Sequence, residues 1–425
     1  MNILHLNPTD VLFFRDGRPM DGASSGHGAA WPMPHVINAA FHAALHRADI
    51  SGVHEHRRGR SSDREDQTRD KKFGGLVTAG PFPVNDQGQW FFPRPADAQI
   101  KQSSVTSLHP RIGSADPSSL QPKYPVVNGN APTKIKPEPW LSQDGWNDYL
   151  KGENNTDPKH FVEDWAISKA EHQIGIAIDP DTGTTVESKF YSASYLRLKP
   201  KWRMGVLAEA HDRVDSKPGE KRDLIHRLLD TEKHLIVGGQ QRICTAEIQN
   251  GEDGVPLPFP TGPEKISGTQ VKWTLLTPAV FPVIGEHRGG WLPSWIDEDS
   301  RRVHLLDGPG KNKAKRLRVK EGATIGADFV AAVIPRAIPI TGWALSTGDD
   351  HGAKSTHLAV PAGAVYYFEA DDETEARKLA DALNWHGNTA GTEIINRRST
   401  IFGEKGFGLG VCSTWQPYQS SSQVI

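Results

Sequence analysis

Cysteine is almost missing from this chain: Cys244 and Cys412 are the two in 425 residues. A disulfide framework is thereby excluded, and a reduced compartment with buried thiols is the expectation. A four-ligand zinc site would need at least two histidines from elsewhere, and none stands at a recognisable spacing. No apolar run approaches the ~18 residues that a bilayer crossing takes. The start, Met1-Asn2-Ile3-Leu4-His5-Leu6, alternates polar and apolar residues where a signal peptide would open an apolar core. A cytoplasmic protein with no membrane contact is expected. Charge of one sign is missing too: 49 basic against 51 acidic residues leave a net charge of -2. The molecule as a whole therefore has no attractive field for polyanions, and any nucleic-acid contact must come from local patches. The phosphate loop Gly-x-x-x-x-Gly-Lys-Ser/Thr does not occur. Gly406, Gly408 and Gly410 miss the Gly-x-Gly-x-x-Gly spacing, with Pro417 close behind. Among 18 histidines there is no His-Glu-x-x-His, and no carboxylate pair singles out an active site. Neither catalysis, nor a cofactor, nor a metal is expected.

Glycine (41) and proline (31) are plentiful, which favours a loop-rich and strand-rich globule over a helical bundle. The length allows two or three domains' worth of core. Ile3 to Phe14 reads as strand. The loop Arg15-Asp16-Gly17-Arg18-Pro19 follows, and Pro34 stands where a first helical turn tolerates its missing N–H. Val36, Ile37, Ala40, Phe41, Ala44 and Leu45 then recur at helical spacing, so the chain opens β–loop–α. His54 to Lys72 is mixed-charge and cannot pack a core, so a mobile insertion is expected there. From Gly80 to Pro139 recurrent prolines call for short elements. Ile174 to Ile178 and Thr184 to Leu198, joined by Asp179-Pro180-Asp181-Thr182-Gly183, read as a hairpin. Val271 to Phe281 is β-like and broken at Pro278. His357 to Glu369 reads strand–turn–strand. Asp372 with Glu375 signs a helix start, with Gly387 as its C-cap, and Trp415 closes a last strand. Two α+β layers, each with helices on one face of an antiparallel sheet, fit this pattern.

The candidate binding residues are local. Arg15 and Arg18 offer guanidiniums for phosphate, although Arg15-Asp16 equally suits an internal ion pair. His27 and Trp31 sit just beyond; Trp31 could stack on a base or fill core. The glycines 406, 408 and 410 either expose amides or pack tightly in a strand, and the nearby Arg397, Arg398 and Lys405 favour a polyanion-facing loop. Lys311 to Lys320, with six basic residues and no acidic one, and Arg197 to Arg203, with Trp202 interleaved, are further polyanion candidates or else solvated loops.

The segment Asp10-Val11-Leu12-Phe13-Phe14-Arg15-Asp16-Gly17-Arg18-Pro19 resembles the opening signature of the subunit-three family of Cmr-type, type III-B CRISPR effector complexes, within the RAMP superfamily. Further family-like motifs follow in order: Gly175 to Asp179 with Thr182 to Thr184, Tyr195 to Leu198, and Gly238-Gly239-Gln240-Gln241-Arg242. Leu276-Thr277-Pro278-Ala279, Ile340 to Trp343, Val360 to Gly363 and Gly406-Phe407-Gly408 complete the series. The set spares only about 54–165. Where family members carry a Ser/Thr-rich helix start and a Gly-Ala pair followed by arginine, this chain has His35, Val36, Ala39-Ala40 and His42.

The resemblance implies two ferredoxin-like (RRM-like, RAMP) domains with a glycine-rich loop and long loop insertions. The first would span 1–215, with a charged, Pro-rich insertion at about 51–165, and the second 216–425. It implies a non-catalytic subunit that holds the 5′ handle of crRNA and meets target RNA indirectly. The partners implied are the large palm-domain subunit and the backbone RAMP subunits. The RNA-binding residues would be Arg15, Arg18, His27, Trp31, Arg242, Arg397, Arg398, Lys405, Gly406, Phe407, Gly408 and Gly410. Arginines and Lys405 would neutralise phosphates, Trp31 or Phe407 would stack bases, and the glycines would present amides, with turns from opposite ends of the chain converging. Two other readings stay open: a metal-independent endoribonuclease of the same superfamily that processes precursor crRNA, with His27 as its loosely plausible base, and a protein-binding scaffold.

Overall fold

A computed structural model describes residues 1–14, 31–48, 75–101, 104–113, 122–128, 138–152, 157–210, 223–249, 255–284, 287–306, 324–344 and 352–419. The loop carrying Arg15, Arg18 and His27, the insertion from His54 to Lys72 and the basic run from Lys311 to Lys320 lie outside the described residues.

The first unit opens with strand β1 (Asn2–Pro8) and helix α1 (Pro34–Arg47). Alternation along β1 sends Leu4 and Leu6 to one face, where Ile37, Ala40, Phe41, Ala44 and Leu45 of α1 cover them. Strand β2 (Val77–Val84) follows. It contains Pro81 and Pro83, yet runs for eight residues, longer than its prolines suggested. It lies at the sheet edge, where missing N–H donors cost no ladder bond. An inserted three-stranded sheet is made of β3 (Phe91–Pro93), β4 (Trp140–Ser142) and β5 (Phe161–Val162). Helix α2 (Gln143–Lys151) grows from β4, with the Ser142 hydroxyl accepting from the Gly145 amide.

The expected hairpin is present and long: β6 (Ser168–Ile178) and β7 (Thr185–Leu198) form a separate two-stranded ribbon. Its Ile174, Ile176 and Ile178 are exposed. Strand β8 (Arg203–Glu209), helix α3 (Leu224–Thr231) and strands β9 (His234–Ile236) and β10 (Ile243–Gln249) complete the unit. The antiparallel order is β9-β10-β1-β8-β2. The first unit therefore runs past the expected boundary at 215/216. Residues 224–249 supply a helix of its core and its fourth strand, and β2 lies in the sheet although its sequence falls in the expected insertion.

The second unit has the sheet β13-β16-β11-β17, built from β11 (Gln270–Leu275), β13 (Ala327–Val333), β16 (Val365–Ala370) and β17 (Gly410–Thr414). Strands β12 (Ala279–Val280), β14 (Ile338–Ile340) and β15 (His357–Val360) form a small sheet beside it, in the order β12-β15-β14. Pro278 separates β11 from β12, as its position predicts. Helix α4 (Glu373–Leu383) starts at Asp372, whose carboxylate accepts the Glu375 amide at 2.9 Å. It ends at Asn384, three residues before the expected Gly387 cap.

The two sheets meet through a shared core. Ala79, Phe82, Val84 and Leu207 of the first sheet pack with Leu409 and Val411 of the second, and Trp146, Tyr149 and Leu150 of α2 join them. Helices cover the outer faces. Both cysteines are buried and free, and no helix among the described residues is long and apolar enough to cross a membrane.

Candidate nucleic-acid interface

Motifs far apart in sequence meet at two places. The first lies at the foot of the ribbon. Leu12 pairs with Leu196 of β7, and Gly239 donates its amide to the Phe13 carbonyl at 2.8 Å. Arg197 forks onto Glu171 at 2.5 and 3.0 Å and reaches Asp10 at 2.8 Å. The paired cations hold the Glu171 carboxyl down to about 2, Arg197 more than Lys169. Arg242 lies 5.0 Å from the centre of the Tyr195 ring, 3.7 Å from Asp10 and 3.4 Å from Gln240. Gln240 and Gln241 take left-handed backbone (φ 56° and 51°), a local strain of the kind kept at functional turns. The Tyr195 hydroxyl secures Gln240 at 2.6 Å.

The second place is the terminal glycine loop, which touches the first unit. A Cβ on Gly406 (φ +91°) would come within 2.9 Å of the Thr78 carbonyl oxygen in β2 and 3.5 Å of Pro34 in α1. One on Gly408 (φ +75°) would lie 2.0 Å from the Ser399 nitrogen. The expected display of amides is corrected here. Gly406 donates to Gly403, Phe407 to Phe402 and Gly408 to Pro278, while Gly410 enters the ladder opposite Leu275. These glycines serve close packing.

Three further candidates take structural contacts as well. Phe407 is fully buried among Val280, Ile340, Ala359 and Ile401, out of reach of a base. Arg398 is buried, donates from Nε and Nη2 to the Ala382 carbonyl at the end of α4, and holds Asn396 at 2.9 Å. A guanidinium in that place satisfies carbonyls that the helix terminus leaves unpaired. Trp31 is half-buried. Its indole N–H is given to the Pro81 carbonyl at 2.9 Å and its ring is edge-on to Trp140 at 5.4 Å, which is a packing role.

Arg397 differs from its neighbour. Its Nε and Nη2 are closed off from solvent with no hydrogen-bond partner. Burial pushes the guanidinium down to about 10, against the opposing fields of Glu209 and Glu404. Lys405 stands 4.9 Å over the Phe402 ring.

His35, which sequence reasoning left out, stacks on Phe407 with ring centres 6.1 Å apart and keeps a buried Nδ1 without a partner. Burial, then the Lys405 and Lys354 cations, push its ring down to about 4. The signal was its place at the first turn of α1, where the resembled family carries a short hydroxyl residue. The run from Arg197 to Arg203 resolves into internal contacts: besides Arg197, Lys199 covers Trp165, Lys201 meets Asp86 at 3.1 Å, Trp202 packs on Phe91 and Arg203 reaches His5.

The two places are joined by one segment. Residue 14 ends beside the Gly238–Gly239 turn, and residues 31–35 begin against β2 and the terminal loop. Residues 15–30, with Arg15, Arg18 and His27, lie in sequence between those two points.

Comparison with known proteins bears on the family. No curated protein matches. Among solved structures, a chain of the type III-B Cmr-beta complex bound to cognate target RNA and AMPPnP is 15% identical, with 86% of each chain covered and a TM-score of 0.43. A chain of the Csm3–Csm4 subcomplex of the type III-A CRISPR–Cas interference complex is 11% identical, covering 88% of this chain and 94% of that one, with a TM-score of 0.38. The family model of the CRISPR-associated protein Cas_Cmr3 matches residues 4–415. With nearly its whole length spanned by that match, the chain belongs to the Cas_Cmr3 family of CRISPR-associated proteins.

Proposed function

We propose that the protein is a non-catalytic RNA-binding subunit that holds the 5′ handle of crRNA across the face between the Gly238–Arg242 turn and the terminal glycine loop. The observation that carries this reading is that two motif turns far apart in sequence flank the same stretch of chain: residues 13–14 pack on the Gly238–Gly239 turn beside Arg242, and residues 31–35 pack on β2 and the terminal loop that holds Lys405, with Arg397 against it. Two antiparallel sheets, both ordered fourth–first–third–second, support it, since four-stranded sheets of this kind can lay single-stranded RNA against loops and exposed faces. On a body of net charge -2, a few local cations select a short tag better than bulk duplex. The remaining surface is assigned to the large palm-domain subunit and the backbone RAMP subunits, with target RNA met through the guide.

The test is filter binding of the full chain to handle RNA against a scrambled RNA of equal length. Charge reversal at Arg15, Arg18 and Arg397 together should abolish the preference and flatten the salt dependence. Native affinity and salt slope in that triple variant would refute the assignment.

A further inference from the structure

Adjacent arginines in this chain have opposite fates. Arg398 spends its buried donors on the end of α4. Arg397 has two enclosed N–H groups and no acceptor for them. Two guanidinium nitrogens desolvated and left unpaired on a half-buried arginine are costly, and such donors are a place where a partner from outside the chain fits.

The surroundings say what kind of partner fits. Arg397 lies against the Gly403–Lys405 turn, where a Cβ on Gly403 would stand 3.3 Å from the Arg397 Cβ. The next residue, Gly406, abuts Pro34 at the start of the 14-residue α1. That helix has no side-chain N-cap and no acidic residue in its first turn, so its positive end is not neutralised by its own sequence. Lys405 and Lys354 add cationic field at His35 on the same turn. The acidic groups within range are Glu404 and Glu209, and Glu209 also faces the N-terminal ammonium at 3.9 Å. Neither takes the two Arg397 donors.

We infer that the Nε and Nη2 of Arg397 form a seat for a single phosphate group. Building on the RNA reading above, one backbone phosphodiester of the guide handle occupies it, wedged where the second unit's loop meets the first unit's helix. A planar fork with two adjacent N–H donors matches two oxygens of one phosphate, a geometry that lysine does not reproduce. The seat is specific for position along the strand and indifferent to base, so it sets the register of the handle.

The experiment compares wild type, Arg397→Met and Arg397→Lys as full-length chains. Thermal melts are run in inorganic phosphate and in chloride at matched ionic strength. In chloride, Arg397→Met should melt higher than wild type, because it deletes an unpaired buried charge while keeping the bulk of the side chain. Phosphate should raise the melting temperature of wild type, raise that of Arg397→Lys less, and leave Arg397→Met unmoved. With handle RNA, Arg397→Met should lose about tenfold in affinity. A single methylphosphonate linkage at the seated position should cost wild type a similar factor and cost the variant nothing more. An Arg397→Met chain that melts lower than wild type, or fails to fold, would make the residue structural and overturn the proposal. Equal phosphate response, or full RNA affinity in the variant while wild type binds, overturns the seat and leaves the RNA reading standing. A wild type without handle affinity overturns both.

Discussion

The two units share one strand order and differ in how it is covered. Counting the four shared strands of each from its N-terminus, both sheets run fourth–first–third–second: β10-β1-β8-β2 in one, β17-β11-β16-β13 in the other. In each, a glycine turn just before the fourth strand reaches back to the chain just after the first strand. Gly239 donates to Phe13, and Gly408 donates to Pro278. The first sheet has α1 and α3 on its outer face. Among the described residues the second has α4 alone, with Trp291, Leu292 and Trp295 packed against the same core. The two turns also end up in different surroundings. Residues 406–410 are buried under β2 and α1, whereas Gly238, Gln240 and Gln241 are exposed. One backbone device thus gives a structural joint in one unit and an open turn in the other, and the neighbour decides which.

The largest effect expected from probing this comparison is at the buried polar tie between the units. Asp97 is fully buried and accepts from Tyr149 at 2.6 Å, Tyr367 at 2.9 Å and Lys272 at 3.3 Å. Asp97→Ala strands the Lys272 ammonium and should cost about 3–5 kcal/mol by urea denaturation. A loss under about 1 kcal/mol would mean that the inserted region and the second sheet are held by apolar contact alone.

Next in size is the glycine pair itself. Gly408→Ala must displace the buried Ser399 backbone, 2.0 Å from the new Cβ, and should cost about 3 kcal/mol, whereas Gly238→Ala, 2.4 Å from the Phe13 carbonyl oxygen but in a solvent-facing turn, should cost about 2 kcal/mol. The reverse order would show that burial of the terminal loop is looser than its contacts indicate.

The smallest effect is one of pH. His35 is held near 4 against an ordinary 6.5 by its burial and by Lys405 and Lys354, so the unfolded chain binds its proton first. Stability from this site is complete above pH 6.5 and falls as pH drops towards about 4. His35→Gln should flatten the stability profile across that window, and an unchanged slope would take His35 out of the joint.

Much of this was legible from residues alone, where the physics is local. The 3.6-residue recurrence of Ile37, Ala40, Phe41, Ala44 and Leu45 gives α1 wherever the chain goes, because one apolar face must be buried. Asp372 with Glu375 starts α4 because a carboxylate two to three residues ahead satisfies free amides. The alternation around Asp179–Gly183 closes the ribbon. Less was legible of the site. Arg397 and Arg398 are neighbours of identical chemistry, and nothing in the sequence says that one ends a helix while the other keeps idle donors. Pairing of β10 with β1 moved the unit boundary past residue 215, since strand partners 240 residues apart obey no local rule. The basic run at 197–203 likewise reads as a polyanion patch until Glu171, Asp10 and Asp86 come to meet it.

By itself, then, the order of amino acids determined the elements, the turns and the motif series that marks the family, since each depends on residues within a few positions of one another. Tertiary structure alone decided which glycines are joints, which arginine is spent and which is spare, and where the two units meet. Burial and pairing are properties of neighbours in space, and the chain brings those together only when it folds.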